Sequence, residues 1–250
     1  MTIGIIIPCY NEEQNIFKLI KQLKNKINGD HKIIIIDDSQ KNLKIKLNRV
    51  VYIHRKKKLG RGSAILLGLK ILLNENKIKY FIEMDADFSH SPSEINSNLK
   101  FFNKKKLDLL ISSRYLKKSK ILNWPLRRKI LSKLSNILIK FLLKIPVNDF
   151  SNGFRIYSRK AAALIIKNCG KKDSDFIILS EIISFIYHNN LKISEVKTIF
   201  RNRLRGESSV NLTLILKSFY NLFYIYNKNR NLIKNYGITF KNEYRGLKAD

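Results

Sequence analysis

The chain has 250 residues, 44% of them hydrophobic, and 49 Lys and Arg against 19 Asp and Glu, a formal net charge of +30. That apolar content excludes a disordered chain, and the length suits one large α/β domain, with or without an appendage. The charge points to an anionic partner (nucleic acid, an acidic membrane surface or phosphate-bearing substrates) without selecting one, and the richness in Lys, Asn and Ile is also what an AT-rich coding bias would produce.

Cys9 and Cys169 are the only cysteines and lack metal-type spacing, which fits a reduced cytoplasmic protein. The apolar stretches near residues 131–143 and 212–226 are interrupted by Lys133, Lys140 and Lys217, short of the roughly 20 apolar residues of a spanning helix. No signal peptide is read at the start, so the expectation is a soluble or peripheral protein.

Ile3, Gly4, Ile5, Ile6 and Ile7 make a continuous apolar run, as in a strand buried on both faces of a parallel sheet, and Pro8 ends it. Asn11 then suits a helix cap before Ile16, Leu19, Ile20 and Leu23, which repeat at helical spacing. Residues 32–36 are a second buried strand ending at Asp37, Asp38 and Ser39, which completes a right-handed βαβ unit. Residues 50–54 are a third strand. Leu59, Gly60, Arg61 and Gly62 open a helix carrying Ile65, Leu66, Leu69, Leu72 and Leu73. The glycines beside Arg61 suit either a phosphate at the helix N-terminus or close packing of helix on sheet.

Residues 81–84 lead into Asp85, Ala86 and Asp87. Side chains of a strand repeat with period two, so a strand continuing through Asp85 would aim both carboxylates at one spot. Such a pair repels unless a cation lies between, and Mg²⁺, which shares its oxygen ligands with substrate phosphates, suits it best. The plainer alternative is an Asp-rich turn. Positions 8–10, 37–38 and 85–87 all lie just past strand ends, where open α/β sheets bind ligands.

Pro92 starts a polar helix, and residues 108–112 are a strand with Ser113, Arg114 and Tyr115 at its end. This alternation predicts an open, mostly parallel sheet flanked by helices. Residues 126–144 are a long amphipathic helix with Ile130, Leu134, Ile137, Leu138 and Phe141 on one face and Arg127, Arg128, Lys129, Lys133, Lys140 and Lys144 elsewhere. Such a helix lies on an anionic membrane or, more commonly, covers a sheet. A polar turn at residues 149–153 contains Asp149 and Asn152, candidates for the acceptor side of a site. A strand at 154–157, a helix at 175–188 with the lone acid Glu181, a strand at 192–200, a loop at 201–209 and a helix at 212–226 follow. The expected division is one domain over residues 1–226 and a polar tail over 227–250. Cys9, His54 and His90 read as core, strand-end and turn residues, and Glu181 as a cap or the partner of a buried arginine.

Several short motifs occur in order: Pro8-x-Tyr10-Asn11-Glu12, Asp37-Asp38-Ser39, Lys58-Leu59-Gly60-x-Gly62, Met84-Asp85-Ala86-Asp87-x-Ser89-His90, Ser113-Arg114-Tyr115, Trp124-Pro125-x-x-Arg128-Lys129-x-x-Ser132 and Arg203-x-Arg205-Gly206-Glu207-Ser208. As an ordered set they resemble the family 2 glycosyltransferases of GT-A fold, in particular those that make polyprenyl-phosphate mannose. The resemblance implies a nucleotide-sugar pocket at Pro8, Tyr10, Glu12, Ile36, Asp38 and Ala86. It implies a divalent cation, Mg²⁺ or Mn²⁺, at Asp85 and Asp87, with Ser89 where some members have Gln. Arg114 and Arg203 then grip the donor diphosphate, and Arg128, Ser132 and Arg203 the acceptor phosphate, since guanidinium matches phosphate oxygens bidentately. Asp85, Asp87 and Arg114 are the implied catalytic residues. Ser209 stands where members commonly carry Lys.

The implied reaction is inverting transfer of mannose from GDP-mannose to a polyprenyl (dolichyl-type) phosphate. A lipid phosphate is already an anionic nucleophile, which accounts for the absence of an evident general base. The implied setting is the cytoplasmic face of an anionic membrane, held peripherally, with room for a small membrane-protein partner. The same fold using UDP-glucose, UDP-GlcNAc or another acceptor is the alternative. A nucleic-acid-binding protein is the remote one, and its basic-aromatic motifs are missing, so no nucleic acid is expected.

Overall fold

A computed structural model describes residues 2–170 and 177–202. The helix expected at 212–226, the Gly206-Glu207-Ser208 motif and the tail lie outside the described residues. The chain runs β1 (Thr2–Cys9), α1 (Glu13–Lys26), β2 (His31–Asp37), β3 (Val50–His54), α2 (Arg61–Leu73), β4 (Ile78–Glu83), α3 (Ile95–Lys105), β5 (Leu109–Ser113), β6 (Lys120–Leu122), α4 (Leu126–Leu143), β7 (Arg155–Ser158), α5 (Arg159–Asn168), α6 (Ile177–His188), β8 (Ile193–Lys197) and β9 (Ile199–Arg201).

Seven strands form one sheet in the order β3-β2-β1-β4-β7-β5-β8, and only β7 runs antiparallel, to β4 on one side and β5 on the other. The mostly parallel sheet is therefore as expected. Its isoleucine runs explain the two-sided core. Ile5, Ile7, Ile33 and Ile35 face one layer with Ile16, Leu19 and Leu23 of α1 and Phe102 of α3. Ile6, Ile34 and Ile36 face the other, with Leu69 and Leu72 of α2, Ile165 of α5 and Ile182 of α6. Alternate residues of β1 and β2 thus feed opposite layers, and both faces of the sheet are covered there. A Cβ on Gly68 would lie 2.5 Å from Ile6 Cγ2, so α2 sits as close to β1 as a bare backbone allows.

Four local expectations change. Asn11 adopts a left-handed backbone (φ 57°), and Glu12, not Asn11, occupies the N-cap of α1. Residues 159–168 form a helix unforeseen in the sequence; Ser158 caps it by accepting from Ala161 N at 3.0 Å. The strand at 192–200 divides at Thr198, whose hydroxyl donates to Glu94 Oε2 at 2.6 Å while Ile199 N binds Glu94 Oε1 at 3.0 Å. That anchor turns β9 out of the sheet to pair with β6.

The fourth change concerns α4. Its apolar stripe does not cover the sheet. Ile130, Leu134, Ile137, Leu138 and Phe141 are all exposed, Phe141 at 76%. The helix packs inward instead through Asn136, Ile139, Leu142 and Leu143. Asn136 fixes this rotation: its side chain donates to Ser132 O at 2.7 Å and accepts from Phe150 N at 2.7 Å.

Candidate active site

Chain order reverses across β1: β2 and β3 lie on one side and β4 on the other, which places a crevice beyond the carboxyl ends of β1, β2 and β4. Asp38 N binds Cys9 O at 3.0 Å and Asn11 N binds Ser39 Oγ at 2.7 Å, so the β1 and β2 ends share one edge. Tyr10 is 40% exposed there, with Lys58 Nζ 3.8 Å from its ring centroid. Glu12 Oε2 accepts from Asn15 at 2.6 Å. Asp38 is heavily engaged: Arg55 donates to both its oxygens at 2.5 and 2.7 Å, and Leu59 N and Gly60 N donate to Oδ2 at 3.0 and 3.1 Å. It ties the glycine turn before α2 to the sheet. Asp37 accepts from Tyr52 OH at 2.8 Å and Ser39 N at 2.9 Å, and it helps burial push the Cys9 thiol up and out of reactivity. Ile36 and Ala86 both have their side chains in the core.

β4 ends at Glu83, so the period-two argument stops short of Asp85, and a turn places the acidic pair instead. Phe88 is left-handed (φ 62°), and Ser89 N donates to Asp87 Oδ1 at 3.0 Å. His90 braces the other end. Its Nδ1 accepts from Asp85 N at 3.1 Å, so the ring proton sits on Nε2, which donates to Asn152 Oδ1 at 2.9 Å. Buried and stacked on Phe154 at 5.2 Å, His90 braces the turn in which the sequence placed it.

Whether these residues fit a divalent cation is tested by Ser89, whose Oγ is buried without a hydrogen-bond partner among the described residues. A dry, unpaired hydroxyl beside a carboxylate is a ready oxygen donor to a hard cation. Among the described residues, no group of three or more His, Cys, Asp or Glu is arranged around a metal. The set fits a cation that completes its shell with substrate phosphate.

Arg61, noted in the sequence beside glycines that suit a phosphate or close packing, is turned onto the acidic end of β4. Its Nη2 and Nε reach Asp85 Oδ1 at 2.9 and 3.2 Å, and its Nη1 lies 2.5 Å from Glu83 Oε1. The alternatives left open for the glycine turn, phosphate or packing, omitted this third one: an arginine sent to the β4 end. The partners are more than twenty residues apart in sequence, so only the glycines on either side offered a signal.

Arg114, at the exit of β5, is held by Asp149 at 2.8 Å through both Nε and Nη2, and by Ser151 Oγ at 2.6 Å. Burial works against the Asp149 carboxylate, but Arg114 outweighs it and holds the carboxyl below its usual range. Asn152 N donates to Asp149 Oδ1 at 3.0 Å, which closes a hydrogen-bonded chain from Asp85 through His90, Asn152 and Asp149 to Arg114. Beyond Arg114 opens a groove of about 300 Å³ lined by Tyr115, Ile121, Lys129, Ile130 and Lys133. Ser132 Oγ meets Tyr115 OH at 2.6 Å beside it, and Arg128 stacks 4.3 Å over Trp124 while donating to Asn202 at 3.3 Å. Lys133 was not singled out from the sequence, although it follows Lys129 by one helical turn. Glu181 accepts from Gly170 N at 2.9 Å. Arg203 lies outside the described residues.

A mostly parallel sheet flanked by helices, with acidic residues beyond its topological switch, has the architecture of the GT-A glycosyltransferases. The sequence pattern described as "Glycosyl transferase family 2" matches residues 4–165, and the chain belongs to that family. It is 31% identical to the polyprenol monophosphomannose synthase of Mycolicibacterium smegmatis over 83% of this chain and 80% of that protein. With the dolichol-phosphate mannosyltransferase of Pyrococcus furiosus it shares 32% identity over 84% of its own length and 59% of the other's. Among solved structures, glucosyl-3-phosphoglycerate synthase from Mycobacterium tuberculosis with Mn²⁺ and UDP superposes at a TM-score of 0.64 and 15% identity, over 91% of this chain and 79% of that one. S. aureus TarS with UDP superposes at 0.60 and 14% identity, over 92% and 65%. No described helix is long and apolar enough to cross a membrane.

Proposed function

We propose that this glycosyltransferase moves mannose, with inversion, from GDP-mannose to a polyprenyl phosphate at an anionic membrane surface. The observation that carries the reading is the hydrogen-bonded chain from Asp85 to Arg114, which links the acidic turn to the mouth of the cationic groove. It holds the donor end and the acceptor end in one fixed register, so the two reactants meet in a set geometry. The curated relatives named above support the choice of mannose and of a polyprenyl acceptor. Tyr10 and Glu12 would receive the base and Asp38 would hold the turn against it. Asp85, Asp87 and Ser89 would hold Mg²⁺ or Mn²⁺, which when bound neutralises charge on the leaving diphosphate. Arg128, Lys129 and Lys133, with Ser132, would seat the acceptor phosphate, which needs no base because it is already charged. His90 is unsuited to that role, since both its ring nitrogens are engaged. The exposed apolar face of α4, set among basic residues and free of acidic ones, would rest on the cytoplasmic face of the membrane, where the lipid phosphate is presented.

The test is product analysis with a short polyprenyl phosphate and GDP-mannose, UDP-glucose or UDP-GlcNAc, with Mg²⁺, Mn²⁺ or chelator. The expected result is lipid-linked mannose from GDP-mannose alone, lost with chelator and in Asp87→Ala. Strict use of UDP-sugars overturns the donor, and full activity of Asp87→Ala overturns the metal role.

A further inference from the structure

Arg61 fills the variable place in the Gly60-x-Gly62 motif and carries none of the roles given above, yet the site is built around it. α2 begins at Arg61, directly after Gly60 with its left-handed backbone (φ 83°). From there the guanidinium is shared between Asp85, through Nε and Nη2, and Glu83, through Nη1. Glu83 is wholly buried, and its other oxygen accepts from Tyr157 OH at 2.6 Å. Gly153 leaves the necessary space: a Cβ there would lie 1.9 Å from Arg61 Nη2 and 3.3 Å from Asp85 Oδ1. The Arg61 side chain is only 14% exposed. Burial opposes its charge, but Glu83 and Asp85 more than offset that. This is a fixed cation with a pocket cut for it, not a surface side chain resting on a carboxylate.

A guanidinium on Asp85 Oδ1 has two consequences. It fixes the carboxylate, and it puts a positive charge within one contact of where a dication would bind. Like charges this close repel appreciably even at the effective dielectric of a protein edge. A nucleoside diphosphate entering with the metal reverses the balance, because its oxygens attract both cations.

We infer that Arg61 is the resident counter-charge of Asp85, a positioning residue that makes capture of a divalent cation depend on the diphosphate arriving with it. The inference rests on the metal role proposed for Asp85 and Asp87, but not on the identity of the sugar or the acceptor.

The test is direct Mn²⁺ binding, read from the electron paramagnetic resonance of free Mn²⁺, with and without GDP. Wild-type protein is expected to bind Mn²⁺ at least about tenfold more tightly with GDP present, and Arg61→Met is expected to bind Mn²⁺ alone about tenfold more tightly than wild type. Arg61→Lys keeps the charge and is expected to keep the wild-type dependence on GDP. Arg61→Met leaves Glu83 buried without its ion pair; if it does not fold, Arg61→Met combined with Glu83→Gln removes that charge and takes its place. Wild-type protein that binds Mn²⁺ equally well without GDP overturns the inference while leaving the metal role intact. So does a methionine variant with unchanged or weaker affinity for Mn²⁺ alone. No Mn²⁺ binding under any condition overturns the inference and the metal role together. Where the donor screen selects a UDP-sugar, UDP takes the place of GDP in each of these measurements, so a change of donor leaves both the inference and the metal role standing.

Discussion

Asp149 carries Arg114, and both are buried, so removing the acid leaves a guanidinium without its counter-ion. Asp149→Asn is expected to cost about 3–5 kcal/mol of stability, measured by urea unfolding at neutral pH. The pH dependence follows from the sign of the shift. The folded carboxyl lies below its ordinary value of 3.8, so its contribution is fully present above that value and is lost as pH falls through the lower, folded one. The gap between wild type and Asp149→Asn should therefore be flat from neutral pH down to the ordinary carboxylate range and narrow below it; a gap that widens toward acid contradicts the assignment. Gly153 makes a second prediction. Gly153→Ala must displace the Arg61 guanidinium and so strip Glu83 of its ion pair, an expected loss of about 1–3 kcal/mol. In an Arg61→Met background the same alanine should cost far less, and additive costs in that double-mutant cycle would refute the clash.

Elements with one strong pattern were legible in the sequence. The isoleucine runs of β1 and β2 have the pattern of two-sided strands, and that pattern alone makes the residues just past them site candidates. What local pattern does not encode is which distant side chain arrives at a site. Arg61 on Asp85 and Asp149 on Arg114 are long-range pairs. Period and spacing carry no information on them, and Asp149 was legible only as a residue in a suggestive turn. α5 escaped because ten residues with a short apolar face look like the end of a strand followed by a loop, even with Ser158 capping them. α4 shows a different limit. Its amphipathicity identified the apolar face correctly, but a periodicity does not say what that face meets. That face yields a clean prediction. Because Phe141 is exposed, Phe141→Ser should change folding stability by no more than about 0.5 kcal/mol. A phenylalanine transferred into a bilayer interface is worth roughly 1.5–3 kcal/mol, so the same change should weaken sedimentation with anionic vesicles by about tenfold or more. Unaltered vesicle binding would mean that α4 is not the surface that docks.

At the scale of the molecule, a net charge of +30 and an exposed apolar helix are separate means of holding one surface, and they differ in how salt acts on them. Basic residues near an anionic bilayer contribute about 1 kcal/mol each, and the contribution fades beyond a Debye length. That length falls from about 8 Å at 0.15 M salt to about 3 Å at 1 M, whereas burial of apolar side chains is not screened. Wild-type protein should therefore lose most of its affinity for phosphatidylglycerol-containing vesicles as salt rises, about tenfold or more, and keep a residue of binding that salt does not remove. A variant with Leu134→Ser and Phe141→Ser should keep salt-sensitive binding at low ionic strength, because its charge is untouched, and fall to background at high salt. Vesicles of phosphatidylcholine alone should retain only the salt-resistant part, and only for wild type. If wild type also falls to background at high salt, the apolar face does not enter the bilayer, and attraction to the lipid surface is a property of the charge alone. If it binds neutral and anionic vesicles equally at every salt concentration, the excess of Lys and Arg has no part in docking, and the lysines of the α4 groove are then left for the phosphate of the acceptor.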